Sequence, residues 1–251
     1  MSVLNDMQIT LKDEEEYKKF RQYYINSRNL DIEAVKDAIS ILSENIEERA
    51  RLFKIAKNEL DKTLVSTFGE ACVSYHLEEK LGIILTHAGW KASPFTISQG
   101  VDLIGGDISN LSNVLIVYVE VKTKRNFSYI TSTLNDLKTQ LTLNRIGLKF
   151  NRSSGDYSYI GIASRLIRHI REKKIIEQSK INIKKDYFER VGAVVMGKTY
   201  SFQKVITKAR PTDCSLNRPC YLMLLILEGL ENRFNELFSI ETLVDKYTGE
   251  P

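Results

Sequence analysis

The chain has 251 residues and a mass of 28.8 kDa, enough to bury a substantial core in one large domain but a tight fit for two. Hydrophobic residues make up 43% and charged residues 27%, close to the averages of folded soluble proteins, which excludes a fibre or a disordered tract. The formal charge of +4 is unevenly spread: residues 120–185 hold fifteen Lys and Arg against five Asp and Glu, whereas residues 1–60 hold ten against twelve. A basic middle suits a polyanionic partner, although a set of solvated helix faces would look the same.

Residues 1–60 read as a helical extension. Tyr17, Phe20, Tyr24, Ile32, Val35, Ile39, Leu42, Ile46 and Leu52 recur at spacings of three and four, without Gly or Pro. The remainder, residues 61–251, reads as one α/β domain. Leu64, Phe68, Ala71, Cys72, Tyr75 and Leu81 continue the helical period to a stop at Gly82. Ile83 to Leu85 follow, then a loop with Gly89 and Pro94, and a short strand at Val101 to Ile104. Gly105-Gly106 reads as a turn into a longer strand, Val114 to Lys122, whose apolar start suits the middle of a covered sheet.

Further on, a helix is expected over Thr133 to Leu148, a strand over Tyr157 to Ile162 and a basic helix over Leu166 to Ile176. Strands at Gly192 to Met196 and Tyr221 to Leu227 and a helix over Asn232 to Val244 complete the chain. This order predicts a central mixed sheet flanked by helices. The longest apolar run, Cys220 to Leu227, is far shorter than the roughly 20 residues of a membrane-spanning helix. The N-terminus carries no basic and apolar leader, and the three cysteines form no C-x-x-C pair, so a cytoplasmic, intracellular protein with reduced thiols is expected and no membrane partner.

One constellation carries chemistry. In Glu120-Val121-Lys122 the two-residue period of a strand turns Glu120 and Lys122 to one face and Val121 to the other. If the strand of Asp102 is the antiparallel neighbour, two carboxylates and an ammonium converge at the sheet edge. Asp102, Glu120 and the Val121 carbonyl are hard oxygen donors of the kind Mg²⁺ prefers, with Mn²⁺ as a substitute. Hydrolysis of a phosphodiester would use such a site, with Lys122 near the attacking water. Lys124 and Arg125 continue beyond it, as phosphate contacts or as exposed charges. The bland reading is a strand-end salt bridge between Glu120 and Lys122, with Asp102 in a turn. His76, His87 and His169 lack zinc-ligand spacing, and no P-loop, dinucleotide or nucleophile-elbow motif occurs in context.

On Asp102 and Glu120-Val121-Lys122 the sequence resembles the PD-(D/E)XK nucleases, which include type II restriction enzymes, Holliday junction resolvases and RecB-like nucleases. Val101 stands where the motif usually has proline. The resemblance implies a restriction-endonuclease-like core at about residues 61–165 and makes Asp102, Glu120 and Lys122 catalytic. It assigns the family's earlier acid to Glu70, in Phe68-Gly69-Glu70-Ala71-Cys72, and a helical glutamine to Gln140. Glu70 also reads as a solvated helix residue, and Asn144 is not the tyrosine of the RecB-like pattern. The expectation is a Mg²⁺-dependent DNA endonuclease, restriction-type or mobile-element associated, acting as a homodimer. The alternative is a non-catalytic DNA-binding or assembly protein of the same fold.

Overall fold

A computed structural model of the chain describes residues 3–27, 40–42, 44–91, 101–124, 128–146, 159–172, 181–215 and 218–229. Six strands form one sheet: β1 (Met7–Leu11), β2 (Ile84–Ala88), β3 (Leu103–Asp107), β4 (Val114–Lys124), β5 (Ile183–Met196) and β6 (Cys220–Leu227), in the order β1-β6-β5-β4-β3-β2. The side from β1 to β4 is parallel and β4-β3-β2 is an antiparallel meander, so the expected mixed sheet is present. Among the described residues it is flanked by the helices α1 (Glu14–Ser27), α2 (Ile46–Tyr75), α3 (Ile130–Gln140), α4 (Tyr159–Glu172) and α5 (Phe202–Ala209). Among the described residues no helix is long and apolar enough to cross a membrane.

Alternation along the strands builds two cores. Val117, Val119 and Val121 of β4 face α1 and α2, where Phe20, Phe68, Ala71 and Tyr75 cover them. Ile116 and Tyr118 face the other way, against Leu134 and Leu137 of α3, Leu166 of α4 and Val205 of α5. Burying both faces explains why the first six residues of β4, the last six of β5 and all of β6 are free of charged residues. Fully buried Arg190 crosses the second core and donates to the carbonyls of Leu141 (2.9 Å) and Arg218 (2.6 Å) and to the Asp213 carboxylate (2.5 Å). Asp213 in turn accepts from the Leu143 amide (2.7 Å), so the pair ties the C-terminal end of α3 to the loop before β6.

Several sequence expectations change. The first 60 residues are not purely helical: Met-Gln-Ile-Thr-Leu at 7–11 is a half-buried strand beside β6, and the boundary at residue 60 falls inside the 30-residue α2. Gly105 and Gly106 are not a turn but the middle of β3, opposite Val117 and Ile116. A Cβ on Gly105 would meet the Ile84 carbonyl at 2.5 Å and one on Gly106 the Leu166 side chain at 2.7 Å, so close approach, not turning, demands glycine there. The link from β3 to β4 instead contains a single 3₁₀ turn at Leu111–Asn113.

Described residues of 157–162 are helix rather than strand. Ile162, Leu166 and Ile170, four apart, place one stripe of α4 on the sheet, a stronger demand than the short alternation before it. The parallel partner of β4 is therefore β5, ending at Met196, beyond the expected core limit of residue 165. Helix α5, capped by Ser201, and strand β1 were not anticipated. The expected helix at Asn232 to Val244 lies outside the described residues, as do Pro94, residues 147–148 and 173–176, and Arg125.

Candidate metal centre

The site is assembled by strand register. Leu103 pairs with Val119 across antiparallel β3 and β4, and continuing that register sets Asp102 level with Glu120, on the face that carries Ile104 and Tyr118. β3 ends at Leu103, and the Asp102 carboxylate takes over as acceptor, receiving the Val121 N–H at 2.7 Å. In an extended chain a residue's carbonyl leaves on the same edge as its amide, so the Val121 carbonyl also faces the end of β3.

Glu120 is buried, and its Oε2 accepts the Tyr118 hydroxyl at 3.0 Å. Burial first, then the charge and hydrogen bond of Glu120 and the charge of Asp102, push the Tyr118 phenol well up, so it stays a donor. Lys122 lies two residues on, its Nζ 3.6 Å from Glu120 Oε1 and 2.8 Å from Asp136 Oδ2 on α3. Burial pulls the Lys122 ammonium down, but the Asp136 hydrogen bond and the charges of Glu120, Asp136 and Asp102 outweigh it, and its pKa ends raised. Lys122 thus stands as an ammonium donating to Asp136. Gln140, one helical turn beyond Asp136, reaches Asp136 Oδ1 at 3.5 Å, the outer limit of a hydrogen bond.

The structure therefore brings together Asp102, Glu120, Val121 and Lys122, and connects Gln140 to them through Asp136. Sequence reasoning missed Asp136; in the sequence it is one acid on an exposed helix face, and only the docking of α3 aims it at Lys122. Lys124 ends β4 on the same face, half-exposed. Glu70 sits half-buried on α2, against the opposite face of the sheet. Its neighbour Gly69 packs on Thr123, whose hydroxyl would lie 1.8 Å from a Cβ placed at Gly69, so this contact sets the height of Glu70 relative to the end of β4.

Among the described residues no three His, Cys, Asp or Glu side chains converge on one point that would hold a metal. The donor set is two carboxylates and a carbonyl, all hard oxygens. That all-oxygen set fits a small divalent cation that keeps several waters better than it fits zinc, whose sites are built mainly on His nitrogen and Cys sulfur. No protein-family model matches the chain. No curated protein matches it either.

Proposed function

We propose that this chain is a divalent-metal-dependent deoxyribonuclease with a restriction-endonuclease-like core, of the restriction-type or mobile-element-associated kind. The observation that carries the reading is the Asp102 carboxylate, one residue outside β3, accepting the Val121 N–H of β4 at 2.7 Å, with the Lys122 cation 3.6 Å from Glu120 on the same strand. The order α2, then β2-β3-β4, then α3 and α4, then β5 supports it, being the helix, strands, helix and strand of the family it resembles with one further helix before the last strand.

Asp102, Glu120 and the Val121 carbonyl would hold Mg²⁺ or Mn²⁺, which when bound supplies an acidified water and neutralises phosphoryl charge. Tyr118 fixes Oε2 of Glu120 and leaves Oε1 directed to the Lys122 side. Lys122, an ammonium, would orient the attacking water or hold a phosphoryl oxygen. Asp136 with Gln140 keeps the Lys122 chain extended along α3, and Glu70 would serve as an accessory acid from α2. A homodimer completes the reading, since two symmetric sites cut both strands of a duplex most simply. The exposed Ile41, Leu42 and Ile46 of the N-terminal region would supply its interface.

Cleavage of supercoiled plasmid, linear duplex and a four-way junction in Mg²⁺ tests this, with EDTA and Glu120→Ala as controls. Cutting that is lost in both controls is the expected result. A second reading is favoured by one observation: the cluster is closed on itself, Asp102 engaged by the Val121 amide and Lys122 nearer Asp136 than Glu120. A protein that binds DNA in the same way with and without Glu120, and cuts none of the three substrates, is the non-catalytic DNA-binding module.

A further inference from the structure

Beyond the carboxylates, the same end of the sheet carries a basic surface. β4 and β5 run parallel, so Lys124 leaves the sheet opposite Met196, the Gly197 amide donating to the Lys124 carbonyl at 3.4 Å, and the exposed Lys198 follows at once in the chain. Helix α3 follows β4 and α5 follows β5, on one face. Lys208 Nζ donates to Thr131 Oγ1 at 3.1 Å, which lays the last turn of α5 against the first turn of α3. Lys204, one turn before Lys208, is exposed on the same stripe. Residues 122–124, 128–140 and 197–209 carry six lysines and one acid, Asp136, which is already engaged by Lys122.

Tyr129, two residues before the Thr131 that Lys208 contacts, borders this lysine field. It is 81% exposed and has φ 58°, ψ 20°, the left-handed region that a bulky side chain enters only at a steric cost. Its carbonyl is held by the Thr133 amide (3.0 Å) and by the hydroxyls of Ser132 (2.8 Å) and Thr133 (3.1 Å), which fix the backbone beneath the ring. Glycine would meet the same φ without strain and would expose no apolar ring. A fixed, uncovered aromatic ring among lysines is the combination that proteins use to grip single strands, bases stacking on the ring and phosphates lying along the cations. A base inside an intact duplex cannot reach such a ring.

We infer that a single-stranded stretch of nucleic acid crosses the first turn of α3 and helix α5, with one base stacked on Tyr129 and its phosphates on Lys124, Lys198, Lys204 and Lys208. The inference rests on the nucleic-acid part of the reading above and narrows it. The substrate carries an unpaired segment next to the cut, as a branched, flapped or single-stranded DNA does.

Fluorescence anisotropy with a labelled single-stranded 20-mer and the matching duplex, in EDTA, tests it without any contribution from catalysis. Wild type is expected to bind the single strand more tightly than the duplex. Tyr129→Ala and Tyr129→Gly are expected to weaken the single-strand complex about 5- to 100-fold, and Tyr129→Phe to keep it. Tyr129→Gly, which removes the backbone strain, should melt no lower than wild type, so its loss of binding would not be a loss of fold. Lys204→Ala with Lys208→Ala should reduce the salt slope of single-strand binding by about 1.4. Equal binding by Tyr129→Gly and wild type, or a duplex preference indifferent to Tyr129, overturns the inference. Tyr129-dependent binding without cleavage under Mg²⁺ would remove the nuclease reading and leave this surface standing. Cleavage that Tyr129→Gly does not alter would do the reverse.

Discussion

Replacing Gly69 by alanine tests the packing that sets α2 on the end of β4. Helix preference alone predicts that alanine in the body of a helix stabilises it by about 1 kcal/mol over glycine. The contact with Thr123 predicts the opposite sign. The added Cβ would lie 1.8 Å from Thr123 Oγ1, 2.9 Å from its Cβ and 3.1 Å from its Cγ2. Rotating χ1 relieves the first clash but not the second, so the helix itself must move outward. Overpacking of this kind costs about 1–3 kcal/mol. Set against the helix gain, the net effect is a loss of up to about 2 kcal/mol, a fall in Tm of up to about 8 °C for a chain of this size. Thermal unfolding followed by circular dichroism measures it. Thr123→Ala in the Gly69→Ala background should restore part of the loss, because the two closest atoms beyond Cβ are gone. A Gly69→Ala protein more stable than wild type by the full helix gain of about 1 kcal/mol would refute the argument that this glycine is there for close approach.

Further predictions follow from the buried ion pair and from the lysine of the site. Arg190→Met is expected to cost about 3–5 kcal/mol in urea unfolding, because it strands Asp213 and the carbonyls of Leu141 and Arg218 without their donor. Burial raises the Asp213 carboxyl, but hydrogen bonds from Arg190 and the Leu143 amide and the Arg190 charge lower it further, and the net pKa lies below the ordinary aspartate value. The folded state thus holds this proton more weakly than the unfolded state. Its stabilisation is complete above about pH 4 and fades as the pH drops through the depressed value, so Asp213→Asn should flatten the acid limb of a pH–stability curve. Asp136→Asn should leave the fold intact and lower the rate of a metal-dependent cut about tenfold or more, with little change in KM, because it frees Lys122 from the alignment that 2.8 Å contact imposes. Asp136→Glu should restore part of that rate.

Strong periodicity made much of this arrangement legible. Val114 to Lys122 could be read as a strand buried on both faces because its start is apolar at every position, and Glu120 and Lys122 then had to share a face. The reading of Asp102 beside β4 needed an antiparallel neighbour, and β3 is one, its register reaching Leu103 opposite Val119. The failures have local causes. Gly105-Gly106 has the composition of a turn, and only the positions of Ile84 and Leu166 show that the pair serves close packing. Tyr157 to Ile162 alternates like a strand, and the helix wins because Ile162, Leu166 and Ile170 bury a stripe that a strand of that length could not. Met7 to Leu11 alternates too, yet five residues ahead of a long helical region carry little weight until β6 offers an edge. Asp136 and Tyr129 leave no motif at all. One gains its meaning from the docking of α3 on β4, the other from a backbone angle.

The central claim is that Asp102 and Glu120 hold a divalent cation, and binding of Mn²⁺ reads this before any substrate is chosen. Titration of wild type, Asp102→Asn and Glu120→Gln, followed by the electron paramagnetic resonance of free Mn²⁺, should show at least one cation bound by wild type, displaced by excess Mg²⁺, and none of comparable affinity on either variant. Equal Mn²⁺ uptake by all three proteins, or no uptake by wild type, would contradict the account and leave Glu120 and Lys122 as a strand-end salt bridge.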